Sequence, residues 1–292
     1  MKPLYEIAGV SKQAHQQYMV RQASQVDRTS YYLGLIEEAR QLHPVIGLAK
    51  IWYLYRPEGI GRESFERLGQ AAGYAIERKP VTTFKGSSRR YPNLLKGESF
   101  NAANQVWVTD ITYYRVGDTY YYISMIMDLY LRKIVACQLS DSLHAHHSIK
   151  LLRRAIQAAD LPSDHQLIHH SDKGSQYTSL AYTKLLSKKQ IGISMCRSVY
   201  ENTHMERLNG IIKNAYLIHW APTSFSALNK QLKRAVTNYH NCPHGKLGMQ
   251  TPNAFEQSLK NVPLNQRTPL KVFTFNQPKN DVDPSQLSLF NS

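Results

Sequence analysis

The chain is short of cysteine, of acidic residues and of long apolar runs, and each shortage excludes something. Its three cysteines, Cys137, Cys196 and Cys242, are far apart and never form a C-x-x-C pair. Their odd number and spacing argue against a disulfide framework and against a zinc site. No apolar run approaches the roughly 18 residues that span a bilayer. The opening MKPLYEIAGVSKQAHQQ lacks the apolar core of a signal peptide, so the expectation is a reducing cytoplasm with no membrane partner. Acidic residues number 21 against 36 Lys and Arg, a net charge of +15. Residues 1–100 hold 15 basic against 9 acidic, and residues 101–292 hold 21 against 12, so the excess is not a tail on a neutral domain. A basic surface throughout points to a polyanionic partner, nucleic acid first; the plain alternative is a merely soluble basic protein.

What is present is enough for a packed core: 292 residues, 42% of them hydrophobic, with room for two or three domains. Residues 1–42 read as helical with a break near Val26-Asp27. Ser11 is placed to cap one helix, and a second, from about Thr29 to Leu42, carries the stripe Tyr32, Leu33, Leu35, Ile36, Ala39. Pro44 is expected to open a further helix through Ile51, Trp52 and Leu54. Pro57-Glu58-Gly59 breaks it and another begins at Arg62. Helix, short Gly-containing turn, helix is the form of a helix-turn-helix, with Arg62 and Arg67 offered to DNA; a plain helical hairpin with solvated arginines fits equally. Residues 76–103 are polar, basic and rich in Gly, Ser and Pro, as in a linker that tracks DNA.

From Gln105 the pattern changes to strands, expected at Gln105–Val116, Thr119–Met127 and Lys133–Leu139, with Gly117-Asp118 marking a hairpin. A helix at His144–Ala159, a strand at Gln166–His170, a helix at Leu180–Lys188 and a strand at Ile191–Met195 follow. Helices are then expected at about Asn202–Tyr216 and Ser224–Tyr239, and the tail after Lys260 reads as irregular. Three strands in succession, then alternation, describe an α/β architecture with a mixed sheet. The expected division is 1–75 helical and DNA-binding, 76–103 linker, 104–260 catalytic core and 261–292 tail.

Three carboxylates stand out within that core. Asp110 lies inside the β-branched run Val106–Thr112, where an unpaired charge is costly. Asp172, in HHSDKGSQY, sits where a strand ends in a turn; Glu206, in ENTHMERLNG, lies in the first turns of a helix. Brought together, they suit Mg²⁺ or Mn²⁺, hard cations that take oxygen ligands. Two such ions about 3.5–4 Å apart can serve the attacking and the leaving oxygen of a phosphodiester, and phosphoryl transfer asks little more of a protein. Lys213, seven residues after Glu206, shares its helix face, with Asn209 between them, so that face offers an amide and a cation to DNA. Lys173 beside Asp172 either neutralises phosphate or decorates a turn. Trp107 and Tyr113, Tyr114, Tyr120, Tyr121 and Tyr122 read as sheet packing rather than base stacking. His144, His146 and His147 lack partners at ligand spacing and read as solvated or capping.

The stretches NQVWVTDITYY, YYISMIMDLYLRKIVA, IHHSDKGSQYTS, ENTHMERLNGIIK and YHNCPHGKLGMQTPNAF occur in order over about residues 104–256. Together they resemble the DDE transposases of bacterial insertion sequences, specifically the second-frame (OrfB) protein of the "IS three" group, whose core is of the retroviral-integrase type. Residues 43–75 and Tyr91–Leu95 resemble the DNA-binding region that precedes that core. The resemblance implies an RNase H-like fold: a mixed five-stranded sheet with flanking helices, preceded by an all-α helix-turn-helix region. It makes Asp110, Asp172 and Glu206 the catalytic, metal-binding triad for two Mg²⁺ or Mn²⁺ ions. It implies DNA cleavage at element ends by water, then strand transfer by the freed 3′-hydroxyl, on double-stranded DNA in the nucleoid. A homo-oligomer on paired ends and an upstream-frame subunit are the implied protein partners.

Asp128 also matches a family position and reads as a turn residue; His170 matches and is placed to orient Asp172. Three departures stand against the pattern. The 33 residues between Asp172 and Glu206 are slightly fewer than usual. Glu201 replaces an Asp before Asn202 and competes as third ligand, and Cys242 stands where the family usually has Arg. Two other readings stay open: a catalytically silent domesticated DNA-binding protein, and an RNase H-like nuclease acting on RNA–DNA hybrids.

Overall fold

A computed structural model of the chain describes residues 11–76, 91–196 and 199–272. Its N-terminal part is helical: α1 (Lys12–Leu42), α2 (Leu48–Tyr55) and α3 (Arg62–Ala71). Ser11 caps α1 as expected, its Oγ accepting from the Ala14 amide at 3.1 Å. The break at Val26-Asp27 is absent and α1 runs through it, since neither residue lacks an amide or forces a non-helical φ. Pro44 does not open α2 either; it lies in the preceding turn, and Gly47 is the N-cap. The three helices enclose Tyr32, Ile36 and Ala39 of α1, Ile51 of α2 and Phe65 of α3. Gly69 is the point of closest approach: a Cβ there would lie 2.6 Å from Leu48 Cδ2 and 2.9 Å from its Cδ1.

Residues 106–195 form a five-stranded sheet. Its strands are β2 (Val106–Val116), β3 (Thr119–Asp128), β4 (Lys133–Ser140), β5 (Ile168–Ser171) and β6 (Gly192–Met195), in the spatial order β4-β3-β2-β5-β6. The first three form an antiparallel meander; β5 joins β2 in parallel and β6 joins β5 in parallel. That mixed order, with helices on both faces, is the RNase H-like arrangement. On one face α4 (Ala145–Ala159) and α5 (Leu180–Lys188) pack on Trp107, Ile126 and Leu167. On the other, α6 (Thr203–Gly210) and α7 (Phe225–His240) pack on Val106, Val108, Met125 and Met127. Between α6 and α7 the chain continues as a π-helical segment, Ile211–Leu217, then a last turn at Ile218–Trp220. Beyond α7 comes a short α8 (Pro252–Ser258), which the sequence pattern did not mark. No helix among the described residues is long and apolar enough to cross a membrane.

The linker expected at 76–103 needs correction where it is described, residues 77–90 lying outside the described set. Its later part is docked on the core rather than free. Leu95 is buried, the Leu94 amide donates to Ser194 Oγ at 2.9 Å, and Asn93 Nδ2 donates to Glu201 Oε2 at 2.7 Å. Ser99–Phe100 then forms β1, paired antiparallel with β7 (Leu270–Lys271), so the tail expected to be irregular from residue 261 returns to the core. The remainder, 273–292, lies outside the described residues, as does the start of the first expected helix, 1–10.

Asp128 fixes the geometry of the meander. Buried at the end of β3, it accepts the Asn104 amide at Oδ2 (2.6 Å) and the Leu131 amide at Oδ1 (2.8 Å), tying the entry of β2 to the turn before β4. The turn role expected for it is the one it fills. Asp128→Ala orphans both buried donors, at about 1–3 kcal/mol each. Urea unfolding is expected to show a loss of about 2–4 kcal/mol, with Asp128→Asn, which keeps one acceptor, losing less.

Candidate active site

The register of the two central strands sets the site. Along the parallel pair Val106 stands opposite Ile168 and Val108 opposite His170. Two residues further on each strand path come Asp110, within β2, and Asp172, just past the end of β5, so the alternation turns both to the same side of the sheet. This is the side that α6 covers with Met205 and Leu208. Glu206, between those two buried residues on α6, is exposed, whereas Asp110 and Asp172 are half-buried.

The carboxylates feel one another. Burial, then the charge of Asp172 and more weakly that of Glu206, push the Asp110 carboxyl up to about 7, against the stabilising bonds from the Ile111 amide and Asn209. Burial also raises Asp172, opposed by the Gly174 amide, which donates to its Oδ1 at 2.9 Å. Asn209 Nδ2 donates to Asp110 Oδ2 at 2.9 Å. A Cβ on Gly174 would stand 3.0 Å from Asp172 Oδ1 and 2.5 Å from Gln176 Nε2, so a side chain there would press on the carboxylate. Burial lowers the Lys213 ammonium and the charge of Asp110 opposes that; Lys213 Nζ donates to the Tyr113 carbonyl at 3.4 Å and lies 5.1 Å from the centre of the Tyr113 ring.

Among the described residues no three Asp, Glu, His or Cys side chains stand close enough to grip a single ion as they are placed. The donor chemistry nonetheless fits a hard divalent cation. Three carboxylates share one edge, none of them in an ion pair with Lys or Arg among the described residues, and burial has already made their mutual repulsion expensive. Of the three, the exposed Glu206 has the most freedom to swing inward.

Other expected positions fall out differently. Asn209 was expected to face DNA, but it is 6% exposed and spends its amide on Asp110, because Leu208 and Asn209 both lie on the sheet-facing side of α6. Lys213 lies in the π-helical segment Ile211–Leu217, and its Nζ meets the Tyr113 carbonyl. Glu201 is buried and engaged with Asn93, which leaves Glu206 as the third carboxylate beside Asp110. The ring nitrogens of His170 lie 2.8 Å from Ser194 Oγ and 3.1 Å from Cys196 Sγ. Lys173 is half-buried in the turn after Asp172. Arg62 and Arg67 are exposed on α3, Arg62 pairing with Glu66 at 3.3 Å and Arg67 bonding Ser64 at 3.3 Å. The sequence reading missed Tyr177, which lies beneath the site with its hydroxyl 3.5 Å from Thr109 Oγ1 and is raised first by burial and then by the charges of Asp110 and Asp172. Only its closeness to Asp172 in the chain hinted at it.

Residues 101–200, which carry Asp110 and Asp172, match the integrase core domain family. The chain is also similar, beyond that match, to proteins of bacterial insertion elements. The transposase for insertion sequence element IS629 of Shigella sonnei is 32% identical over 192 residues, 61% of this chain and 61% of its own. The insertion element IS600 uncharacterized 31 kDa protein, also of Shigella sonnei, is 31% identical over 172 residues, 57% of this chain and 62% of its own. The chain thus spans less than two thirds of the length of these relatives. A solved HTLV-2 integrase catalytic core domain in complex with magnesium is similar over 55% of this chain and 96% of its own, at 19% identity and a TM-score of 0.43.

The raised Asp110 gives the metal-free protein a pH signature. Its folded carboxyl titrates near 7, well above the usual value of 3.8. Between about pH 4 and pH 7 the folded state therefore holds a proton that the unfolded chain has released, and stability falls as pH rises through that window. Asp110→Asn removes this contribution. Unfolding in chelator is expected to show the variant matching the native chain near pH 4 and exceeding it at pH 8 by on the order of 2 kcal/mol, after discounting for partial exposure. A constant difference across pH would mean that Asp110 is not held in a charge-deficient site.

Proposed function

We propose that this protein is a transposase of the DDE type, cutting and joining DNA at the ends of an insertion element with divalent metal ions. The observation that carries the reading is the register: Asp110 and Asp172 on adjacent parallel strands of an integrase core, with Glu206 brought to them by α6. Asp110, Asp172 and Glu206 would hold Mg²⁺ or Mn²⁺, in a pair on our reading. When bound, such ions supply Lewis acidity to the attacking and leaving oxygens and neutralise the charge of the phosphodiester.

The protein's own residues do the positioning. Asn209 fixes the plane of the Asp110 carboxylate and the Gly174 amide that of Asp172, so both are presented in set orientations. A bound cation would also bring Asp110 down from its raised value and keep it ionised at neutral pH. Lys213 and Lys173 flank the carboxylates and are placed to meet phosphate. The helical region, with Arg62 and Arg67 exposed on α3, is read as a second contact with duplex DNA. Assembly of several protomers on paired ends, and the aid of an upstream-frame subunit, belong to the same reading.

The test is strand cleavage and joining on labelled duplex carrying the element's ends, with Mg²⁺, Mn²⁺ or chelator. Asp110→Asn, Asp172→Asn and Glu206→Gln are each expected to reduce products to background while duplex binding persists. Asn209→Ala, which frees Asp110 without removing it, is expected to lose about 10–100-fold. Full cleavage by any of the three carboxylate variants would remove that residue from the site.

A further inference from the structure

The other side of α6 holds a second polar constellation that the proposed chemistry does not use. A cavity of about 50 Å³ is lined by Arg132, His204, Arg207, His244 and Lys246 over an apolar floor that includes Met127 and Leu208. One buried water needs roughly 10–15 Å³, so the space suits a few waters or a single tetrahedral anion. No Asp or Glu lines it. Arg132 is 6% exposed, sits in the turn between β3 and β4, and forms no ion pair among the described residues; neither do Arg207 and Lys246. The carboxylate whose charge Arg132 does feel, Asp128, already accepts the Asn104 and Leu131 amides. A buried guanidinium without a carboxylate partner is a costly arrangement unless something else supplies the negative charge.

The two histidines complete the donor set. Arg132 Nη1 lies 2.9 Å from His204 Nδ1, and guanidinium only donates, so Nδ1 accepts and the His204 ring proton sits on Nε2. The Lys246 amide donates to His244 Nδ1 at 3.2 Å, which likewise puts the His244 proton on Nε2. Both rings are held neutral, His204 down to about 3 and His244 to about 4, by burial and by the surrounding cations. Three cations and two ring N–H donors thus line one cavity. It adjoins a wider groove of about 850 Å³ between the helical region and α6, which shares Arg207 and His244, adds Lys50, and is also lined by no carboxylate.

We propose that this cavity is an oxyanion site that takes one tetrahedral phosphate, contributed by the DNA backbone. Guanidinium, ammonium and imidazole N–H donors lining one small cavity are the chemistry that binds such a group, and Arg207 stands next to Glu206 in the chain, so a strand held here would run beside the carboxylates. That the phosphate belongs to DNA rests on the proposed function; the oxyanion site itself does not.

The experiment uses the full chain and Arg207→Gln/Lys246→Gln, both exposed positions whose change spares the core. Lys188→Gln/Lys189→Gln, on the far face of the sheet, controls for the same loss of charge. Thermal unfolding is followed in potassium phosphate against potassium chloride of equal ionic strength, and duplex binding is measured by fluorescence anisotropy with and without phosphate. The native chain and the control are expected to gain a saturable rise in Tm from phosphate, the cavity variant to need about tenfold more, and phosphate to displace duplex from the native chain but less from the cavity variant. A phosphate response with no competition against duplex would keep the oxyanion site and overturn its assignment to DNA. If phosphate acts no differently from chloride and both double variants bind duplex alike, the site itself is overturned. Cleavage by the native chain, lost in Asp172→Asn, is read separately and tests the transposase reading alone.

Discussion

Mutual repulsion between carboxylates on two neighbouring parallel strands, Asp110 within β2 and Asp172 just past β5, is the constraint around which the rest is arranged. Asp110 lies on the middle strand of a five-stranded sheet, where a charge loses most of its hydration, and the parallel register with β5 turns Asp172 to the same side. A fold chosen for stability alone would separate them. Here the neighbouring groups hold the pair in place instead: Asn209 from α6 and the Gly174 amide from the turn each fix one carboxylate, and Gly174 has no side chain to crowd it. The hydrophobic packing of Met205, Leu208 and Ile212 against Val106 and Val108 holds α6 to the sheet against that repulsion. Stability in the body of the core thus maintains a locally unfavourable edge, as catalytic centres commonly require.

The same α6 separates two kinds of charge. Asn209 and Glu206 serve the acidic edge, while His204 and Arg207 belong to the basic cavity beyond it. The helical region is joined to this helix layer, not only to the sequence before it. His43 Nδ1 lies 2.8 Å from the Tyr216 hydroxyl, Arg234 donates to the Gln41 carbonyl, and Cys242 packs at the edge of the helical core. Burial holds His43 down to about 4, so this contact does not depend on its charge near neutral pH. A groove lined by residues of both parts follows from that docking.

What could be read in the sequence was local in origin. The meander was legible because β-branched and aromatic runs alternate with Gly117-Asp118 at the turn, and α3 and α5 because their apolar residues recur at helical spacing. The integrase-like fold and the insertion-sequence resemblance were legible because five ordered motifs are far more specific than one acidic residue in a strand. The pairing of β1 with β7 was not, since two-residue strands some 170 positions apart leave no periodicity to detect. The docking of Leu94 and Leu95 was hidden by the polar composition around them. Asn209's contact with Asp110 was hidden because helical spacing tells which residues share a face but not which face meets the sheet. The break expected at Val26-Asp27 had neither Gly nor Pro behind it, and the start expected at Pro44 came too early because that proline takes the turn after α1, three residues before the Gly47 cap.

Charge must also be considered at the distance over which it acts. The chain carries +15 overall, yet the Debye length at physiological ionic strength is about 8 Å, so most of those cations can steer a polyanion without stabilising it at the carboxylates. Within the site the balance is reversed: three carboxylates meet Lys213, whose ammonium is itself weakened by burial, and Lys173 beside Asp172. A phosphodiester brought to that edge alone would add to the repulsion that already raises Asp110. On the proposed function two things would relieve it, a divalent cation between phosphate and carboxylates, and cations that hold the neighbouring phosphates from the other side of α6. On that reading the acidic group and the basic cavity are parts of one electrostatic arrangement, in which distant positive charge would bring DNA in and only charge within a few ångströms would let it remain.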